Sequence, residues 1–145
     1  MLEAALEVAM TTAREAGELL RERLQSPRTI HYKGHRDVVT DADLAAQALI
    51  IGRLQASFPD HAIWAEEGDA ATAGAGAGYT WIVDPLDGTN NYSRHHPTFA
   101  VSIALARGGE VLLGAVYEPL RDFLFHGQRG QGAFVNGQPL RVSQV

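Results

Sequence analysis

The run Trp81-Ile82-Val83-Asp84-Pro85-Leu86-Asp87-Gly88-Thr89-Asn90-Asn91 constrains this chain more than any other stretch. The β-branched and aromatic residues from Tyr79 to Val83 read as a strand that delivers Asp84 at its carboxyl end. Pro85 has no amide hydrogen and reads as the stop of that ladder, and Gly88 permits a sharp turn into a short helix. Two carboxylates three residues apart on such a turn, Asp84 and Asp87, can converge on hard cations, which demand oxygen ligands. The Leu86 carbonyl is a further oxygen, and the amides of Gly88 and Thr89 are placed to meet an anion such as phosphate. Taken alone, the same letters also describe an ordinary Asx-rich turn.

A second acidic pair weighs against that plainer reading. Glu66 and Glu67 follow Ala62-Ile63-Trp64-Ala65, which reads as a buried strand. Should Glu66 approach Asp84, two carboxylates at ~4 Å repel by about 4 kcal/mol at an effective dielectric of ~20. A divalent cation removes that penalty. The net charge of -5 suits a cation site and supplies no basic footprint for nucleic acid. No apolar run approaches the ~20 residues of a membrane span. Zero cysteines exclude disulfides and thiolate metal sites. The start, Met1-Leu2-Glu3-Ala4, lacks the basic and apolar blocks of a secretory signal, so a cytoplasmic protein without nucleic-acid or membrane partners is expected.

The rest of the chain supplies a scaffold. Leu2, Leu6, Ala9, Met10, Ala13, Ala16, Leu20 and Leu24 recur at helical spacing and predict a long first helix ended before Pro27, in which Gly17 marks a close approach of another element. A short strand is expected at Thr29 to Tyr32, and a turn over Lys33-Gly34-His35-Arg36. A second helix is expected from an N-cap at Thr40 to Pro59, with Leu44, Ala48, Ile51, Leu54 and Phe58 as its stripe. Gly68 to Gly78 reads as a loop. Thr98 to Arg107 and Glu110 to Tyr117 form a hairpin across Gly108-Gly109, Asp122 to His126 adds a strand, and the glycine-rich tail with Asn136-Gly137 gives short strands and tight turns. Two long helices packed on a largely antiparallel sheet make an α+β domain.

With these segments assembled, the chain resembles the inositol monophosphatase family over essentially its whole length. The resemblance rests on Asp37-Val38-Val39-Thr40-Asp41-Ala42-Asp43, on Glu66-Glu67, on Trp81 to Tyr92 and on Gly130 to Gly137. The family signature W-I-x-D-P-x-D-G-T-x-N-[FY] has every fixed position filled here. What the resemblance implies is the first half of a layered αβαβα sugar-phosphatase fold, a magnesium-dependent phosphomonoesterase acting through two or three metals, and a homodimer. The substrate it implies is inositol monophosphate or a related sugar or polyol phosphate. Histidinol phosphate, fructose 1,6-bisphosphate and NADP are the alternatives within the family, and a non-catalytic metal-binding module is the alternative outside it.

Residue by residue, the resemblance assigns Glu66, Asp84 and the Leu86 carbonyl to one magnesium, and Asp84 with Asp87 to a second. Asp43 and Thr89 become the pair that activates the attacking water. Glu66, Leu86, Asp87, Gly88 and Thr89 line the substrate phosphate, with Glu67 and Lys33 as further candidates. His95 and His96 are expected to shape a loop. Ala65 stands where the family commonly has glycine, a mild change if the backbone there has negative φ. The family's second half carries a W-D motif whose aspartate completes the second metal site, and no such pair occurs here, so residues 1–145 read as a single N-terminal domain with the family's C-terminal domain absent.

Overall fold

The computed structural model describes residues 1–25, 34–65 and 78–144, with the backbone alone for 34–40. Helix α1 (Leu2–Gln25) and helix α2 (Gly34–Ser57) pack against each other on one face of a sheet whose seven strands lie in chain order. The strands are β1 (Ala62–Ala65), β2 (Tyr79–Asp87), β3 (Ala100–Arg107), β4 (Glu110–Glu118), β5 (Phe123–Gln128), β6 (Ala133–Val135) and β7 (Gln138–Leu140). Only β1 and β2 run parallel, and every other neighbouring pair is antiparallel. The α+β class expected from the residue pattern is the one observed. No helix among the described residues is long and apolar enough to cross a membrane.

Strand alternation sends one set of side chains under the helices. Ile63, Trp81, Val83, Val101, Ile103, Leu105, Leu113, Ala115 and Tyr117 are buried there. From α1, Ala5, Ala9, Ala13, Ala16, Leu20 and Leu24 meet them, while Leu2, Leu6 and Met10 of the expected stripe are only partly buried at its border. Small residues on that line let the helix lie close to the sheet. At Gly17 a Cβ would fall 2.3 Å from Cδ2 of Tyr117, so the close approach expected from this glycine is real.

The second helix departs from expectation in two ways. It begins at Gly34, so Gly34-His35-Arg36 is helical instead of a turn and Thr40 lies inside the helix instead of capping it. Nothing between Gly34 and Asp43 breaks a helix, since β-branched Val38, Val39 and Thr40 each cost only a few tenths of a kcal/mol. Its buried side also differs: Ala42, Ala46, Ile50 and Leu54 face inward with Asp43 and Gln47, while Leu44 is 49% exposed. The buried sector is rotated by about one residue so that a carboxylate, Asp43, points into the protein. The strand expected at Thr29 to Tyr32, Lys33, and the loop from Gly68 through residue 77 lie outside the described residues.

Candidate metal and phosphate site

Strand β2 carries its regular ladder through Asp84, which pairs with Ser102, and resumes it at Asp87, which pairs with Ala100. Pro85 and Leu86 therefore oppose the single residue Val101, a β-bulge. Pro85 does not end the strand, contrary to the sequence expectation. It sits where no ladder amide is needed, and the extra residue re-aims the chain toward the turn at Gly88. The Leu86 amide donates to Oδ1 of Asp84 at 3.2 Å, and the hydroxyl of Thr89 donates to the Leu86 carbonyl at 3.4 Å. One short turn thus ties together Asp84, Leu86 and Thr89. Asp84 is half-buried, and Asp87 and Thr89 are exposed.

Gly88 turns the chain with φ 94° and ψ 41°, a left-handed conformation that disfavours any side chain. A Cβ there would also stand 3.0 Å from the Thr98 carbonyl. Helix α3 (Thr89–Ser93) follows and is pinned from two sides. Nδ2 of Asn91 donates to the Thr98 carbonyl at 2.7 Å, and the buried hydroxyl of Tyr92 donates to the Leu20 carbonyl toward the carboxyl end of α1 at 2.9 Å. Phe99 meets the Tyr92 ring edge-on with centroids 5.0 Å apart. Burial pushes the Tyr92 phenol up to about 12, so it stays a neutral donor; the Arg23 charge acts in the opposite sense and the Asp43 charge in the same sense. Asp43, 6% exposed on α2, is therefore an electrostatic neighbour of the turn's anchoring tyrosine.

Of the sequence-assigned residues, the bulge and its turn bring together Asp84, Leu86, Asp87, Gly88 and Thr89, and α2 brings Asp43 inward beside α3. Glu66, Glu67 and Lys33 lie outside the described residues. Ala65 and Val83, which precede Glu66 and Asp84 in sequence, are ladder partners on the parallel strands β1 and β2. Ala65 belongs to extended β1 and is not among the positive-φ residues, so alanine in place of the family's glycine is benign there. Among the described residues no three acidic or histidine side chains cluster closely enough to hold a metal. The donors on the turn, two carboxylates and a carbonyl, are all oxygens and suit a hard divalent cation. His95 and His96 shape the loop after α3: His95 has φ 58°, and Nδ1 of His96 accepts the Thr98 amide at 3.3 Å.

Sequence reasoning missed the anchors of this turn. Asn91 and Tyr92 closed the signature without a role, although a tyrosine one helical turn after Thr89 was a signal that the turn has a buried face. Ser102, the ladder partner of Asp84, carried no signal at all.

A family model described as "Inositol monophosphatase family" matches residues 1–145. The chain is 42% identical over 144 residues to "Inositol monophosphatase 1" of Solanum lycopersicum, covering 98% of this chain and 53% of that protein. It is 41% identical over 140 residues to "Nus factor SuhB" of Escherichia coli K12, covering 95% of this chain and 52% of that one. Among solved structures, the extragenic suppressor protein suhB from Bartonella henselae superposes with a TM-score of 0.87 at 35% identity, over 98% of this chain and 55% of that chain. The inositol monophosphatase from Anabaena gives a TM-score of 0.85 at 36% identity, over 99% of this chain and 51% of that chain. The chain spans about half the length of the curated relatives it matches.

Proposed function

The chain belongs to the inositol monophosphatase family, and on that premise we propose that it carries the cation-binding and phosphate-orienting part of a magnesium-dependent phosphomonoesterase. Inositol monophosphate or a related sugar or polyol phosphate is the proposed substrate, with histidinol phosphate, fructose 1,6-bisphosphate and NADP as the family's other options. Residues 1–145 act in this reading as one domain, in a cytoplasmic homo-oligomer.

The observation that carries the reading is the bulged turn in which Asp84 and Thr89 both bond to Leu86. It holds a carboxylate, a carbonyl and a hydroxyl in one rigid constellation beside Asp87. Glu66, Asp84 and the Leu86 carbonyl would hold one magnesium, and Asp84 with Asp87 a second. The bound cation supplies Lewis-acid polarisation of a phosphoryl oxygen and a water acidic enough to ionise near neutral pH. The chain's own residues do the rest. Asp43 accepts a proton from Thr89 or from water, the Gly88 and Thr89 amides bind phosphate oxygens, and Tyr92 and Asn91 hold the turn in place. Glu67 and Lys33 are the further candidates at its rim.

The test is magnesium binding by calorimetry, together with phosphate release from inositol 1-phosphate by this chain joined to the second half of a relative. Asp84→Asn should remove the tightest magnesium site and reduce hydrolysis to background. Wild-type turnover in that variant would refute the metal assignment. The name "Nus factor SuhB" of one relative favours a second reading, a binding role beside hydrolysis, in which the Asp84→Asn chain would lose hydrolysis and keep its cellular effect.

A further inference from the structure

The turn that carries Gly88 and Thr89 leans on Thr98. The Thr98 carbonyl accepts Nδ2 of Asn91 at 2.7 Å, and a Cβ on Gly88 would stand 3.0 Å from the same oxygen. The Thr98 amide donates to Nδ1 of His96 at 3.3 Å. The Thr98 side chain is held from elsewhere in the sheet: Nη2 of Arg121, in the turn between β4 and β5, donates to its hydroxyl at 3.3 Å.

The base of that brace is fixed. Oδ1 of Asp122, the next residue, accepts the Tyr117 hydroxyl at 2.8 Å and Nη1 of Arg14 on α1 at 3.1 Å. Nδ2 of Asn136 donates to the Asp122 carbonyl at 3.0 Å. The guanidinium is restrained as well. Its Nη1 lies 3.6 Å from Oε2 of Glu118, an oxygen removed from water that has no hydrogen-bond partner among the described residues. Such an oxygen is costly to leave bare, and the Arg121 charge offsets that cost. A planar fork faces Glu118 with one nitrogen and Thr98 with the other, which a single ammonium cannot do. Glu118 and Thr98 line one hollow of about 380 Å³ with Asp87, Gly88 and Asn91, so the brace stands at the edge of the candidate phosphate site.

A half-exposed ion pair of this kind adds little to global stability. Its effect is on geometry, because groups misplaced by ~1 Å at a reacting centre can lose about 10²-fold in rate. We propose that Arg121, restrained by Glu118, is a positioning residue for the phosphate-orienting turn, acting through Thr98 and Asn91 on the Gly88 and Thr89 amides. Its consequence for turnover rests on the phosphatase reading, and its consequence for the turn itself does not.

Amide hydrogen exchange in the 145-residue chain tests the proposal. The Tyr92 and His96 amides, bonded to the Gly88 and Asn91 carbonyls at 2.9 and 2.8 Å, report on α3 and the loop after it. Arg121→Ala should speed their exchange about tenfold, with the Leu20 amide of α1 and the urea midpoint near wild type. Thr98→Val, which keeps the shape and loses the acceptor, should do the same, and Thr98→Ser should retain wild-type protection. The double variant of Arg121→Ala and Thr98→Val should exchange no faster than either single one, as for residues acting in one path. In the chain joined to the second half of the Solanum lycopersicum relative, Arg121→Ala should lower kcat about tenfold with KM and the magnesium midpoint unchanged. Unchanged exchange at Tyr92 and His96, additive effects in the double variant, or wild-type kcat in Arg121→Ala would each overturn the proposal. So would equally fast exchange in α1 with a lower urea midpoint, since Arg121 would then serve stability alone. Absence of hydrolysis in every joined chain, wild type included, would count against the phosphatase reading, and the exchange measurements would still decide the role of Arg121.

Discussion

Trp81 and Trp64 sit on adjacent strands of one sheet and face opposite ways. The first is wholly buried under the helices with its indole N–H donated to Nδ1 of His61 at 3.1 Å, and the second is 62% exposed. Residue type does not separate them. What separates them is whether a layer covers their face, and the supporting residues differ accordingly. Under the helices the sheet presents branched and aromatic side chains that meet a line of alanines on α1. On the open face it presents a glycine and alanine trough that nothing among the described residues fills. The Asp84 turn stands at the boundary, with Tyr92 rooted in the covered core and Asp84 bordering a hollow on the open face.

The largest expected effect tests that contrast directly. Trp81→Ala should lower the unfolding free energy of the chain by about 3–5 kcal/mol, the range for deleting a buried aromatic. Trp64→Ala should change it by no more than about 0.5 kcal/mol, as for a surface position. Urea titrations of both variants decide this. Similar losses at the two sites would mean that the open face is already covered in solution.

Gly17→Ala sharpens the comparison at the helix interface. Alanine favours the helix by up to ~1 kcal/mol, but its methyl would penetrate the Tyr117 ring, and overpacking costs about 1–3 kcal/mol. Because Tyr117 is itself held, with its hydroxyl donating to Asp122 at 2.8 Å, the ring cannot swing away freely. A net loss of roughly 1–2 kcal/mol is expected in thermal unfolding. A stabilised Gly17→Ala variant would show that α1 stands off the sheet.

That glycine was legible in the sequence, and the reason generalises to what was and was not. Local chemistry carried its own signal: the helical repeat in α1, the paired glycines of the β3–β4 hairpin, both observed with positive φ, and the oxygen donors of the Asp84 turn. Choices made by tertiary partners did not. Leu44 looked like core and is exposed, because Asp43 one position earlier takes the inward side, and hydrophobicity alone cannot anticipate a carboxylate being turned into the protein. Pro85 looked like a strand end and instead occupies a bulge, a feature that depends on the partner strand's register. Ser102 beside Asp84, and the reach of Tyr92 to Leu20, join residues far apart in the chain. The roles of Glu66 and Lys33 rest on the resemblance, since neither is among the described residues.

A smaller effect separates the faces by pH. On the covered side His61 accepts a hydrogen bond at Nδ1 and stacks on Phe58 at 4.8 Å, so it is held neutral; burial lowers its pKa below 6.5, with Asp60 pulling the other way. The unfolded chain then binds the proton more readily than the folded one. Stability from this group is fully present above pH 6.5 and falls as the pH drops from 6.5 through the lower folded pKa. The urea midpoint should decline across that window, and His61→Gln should flatten that part of the profile. An unchanged slope in the variant would mean that the indole bond does not set the protonation state of His61.

The smallest expected change has the opposite sign and comes from the open face. Gly114 lies in the middle of the trough, and a Cβ there would meet only the Ile103 carbonyl at 3.7 Å and the Ala104 methyl at 3.9 Å, ordinary contacts that require no shift. Gly114→Ala removes backbone freedom from the unfolded chain and should stabilise the isolated 145-residue protein by about 0.4–1 kcal/mol. Urea titration of the variant beside the wild type checks the sign. A Gly114→Ala chain less stable than the wild type would mean that the open face leaves no room for a methyl at the centre of the Ala104-Gly114-Gly127 row.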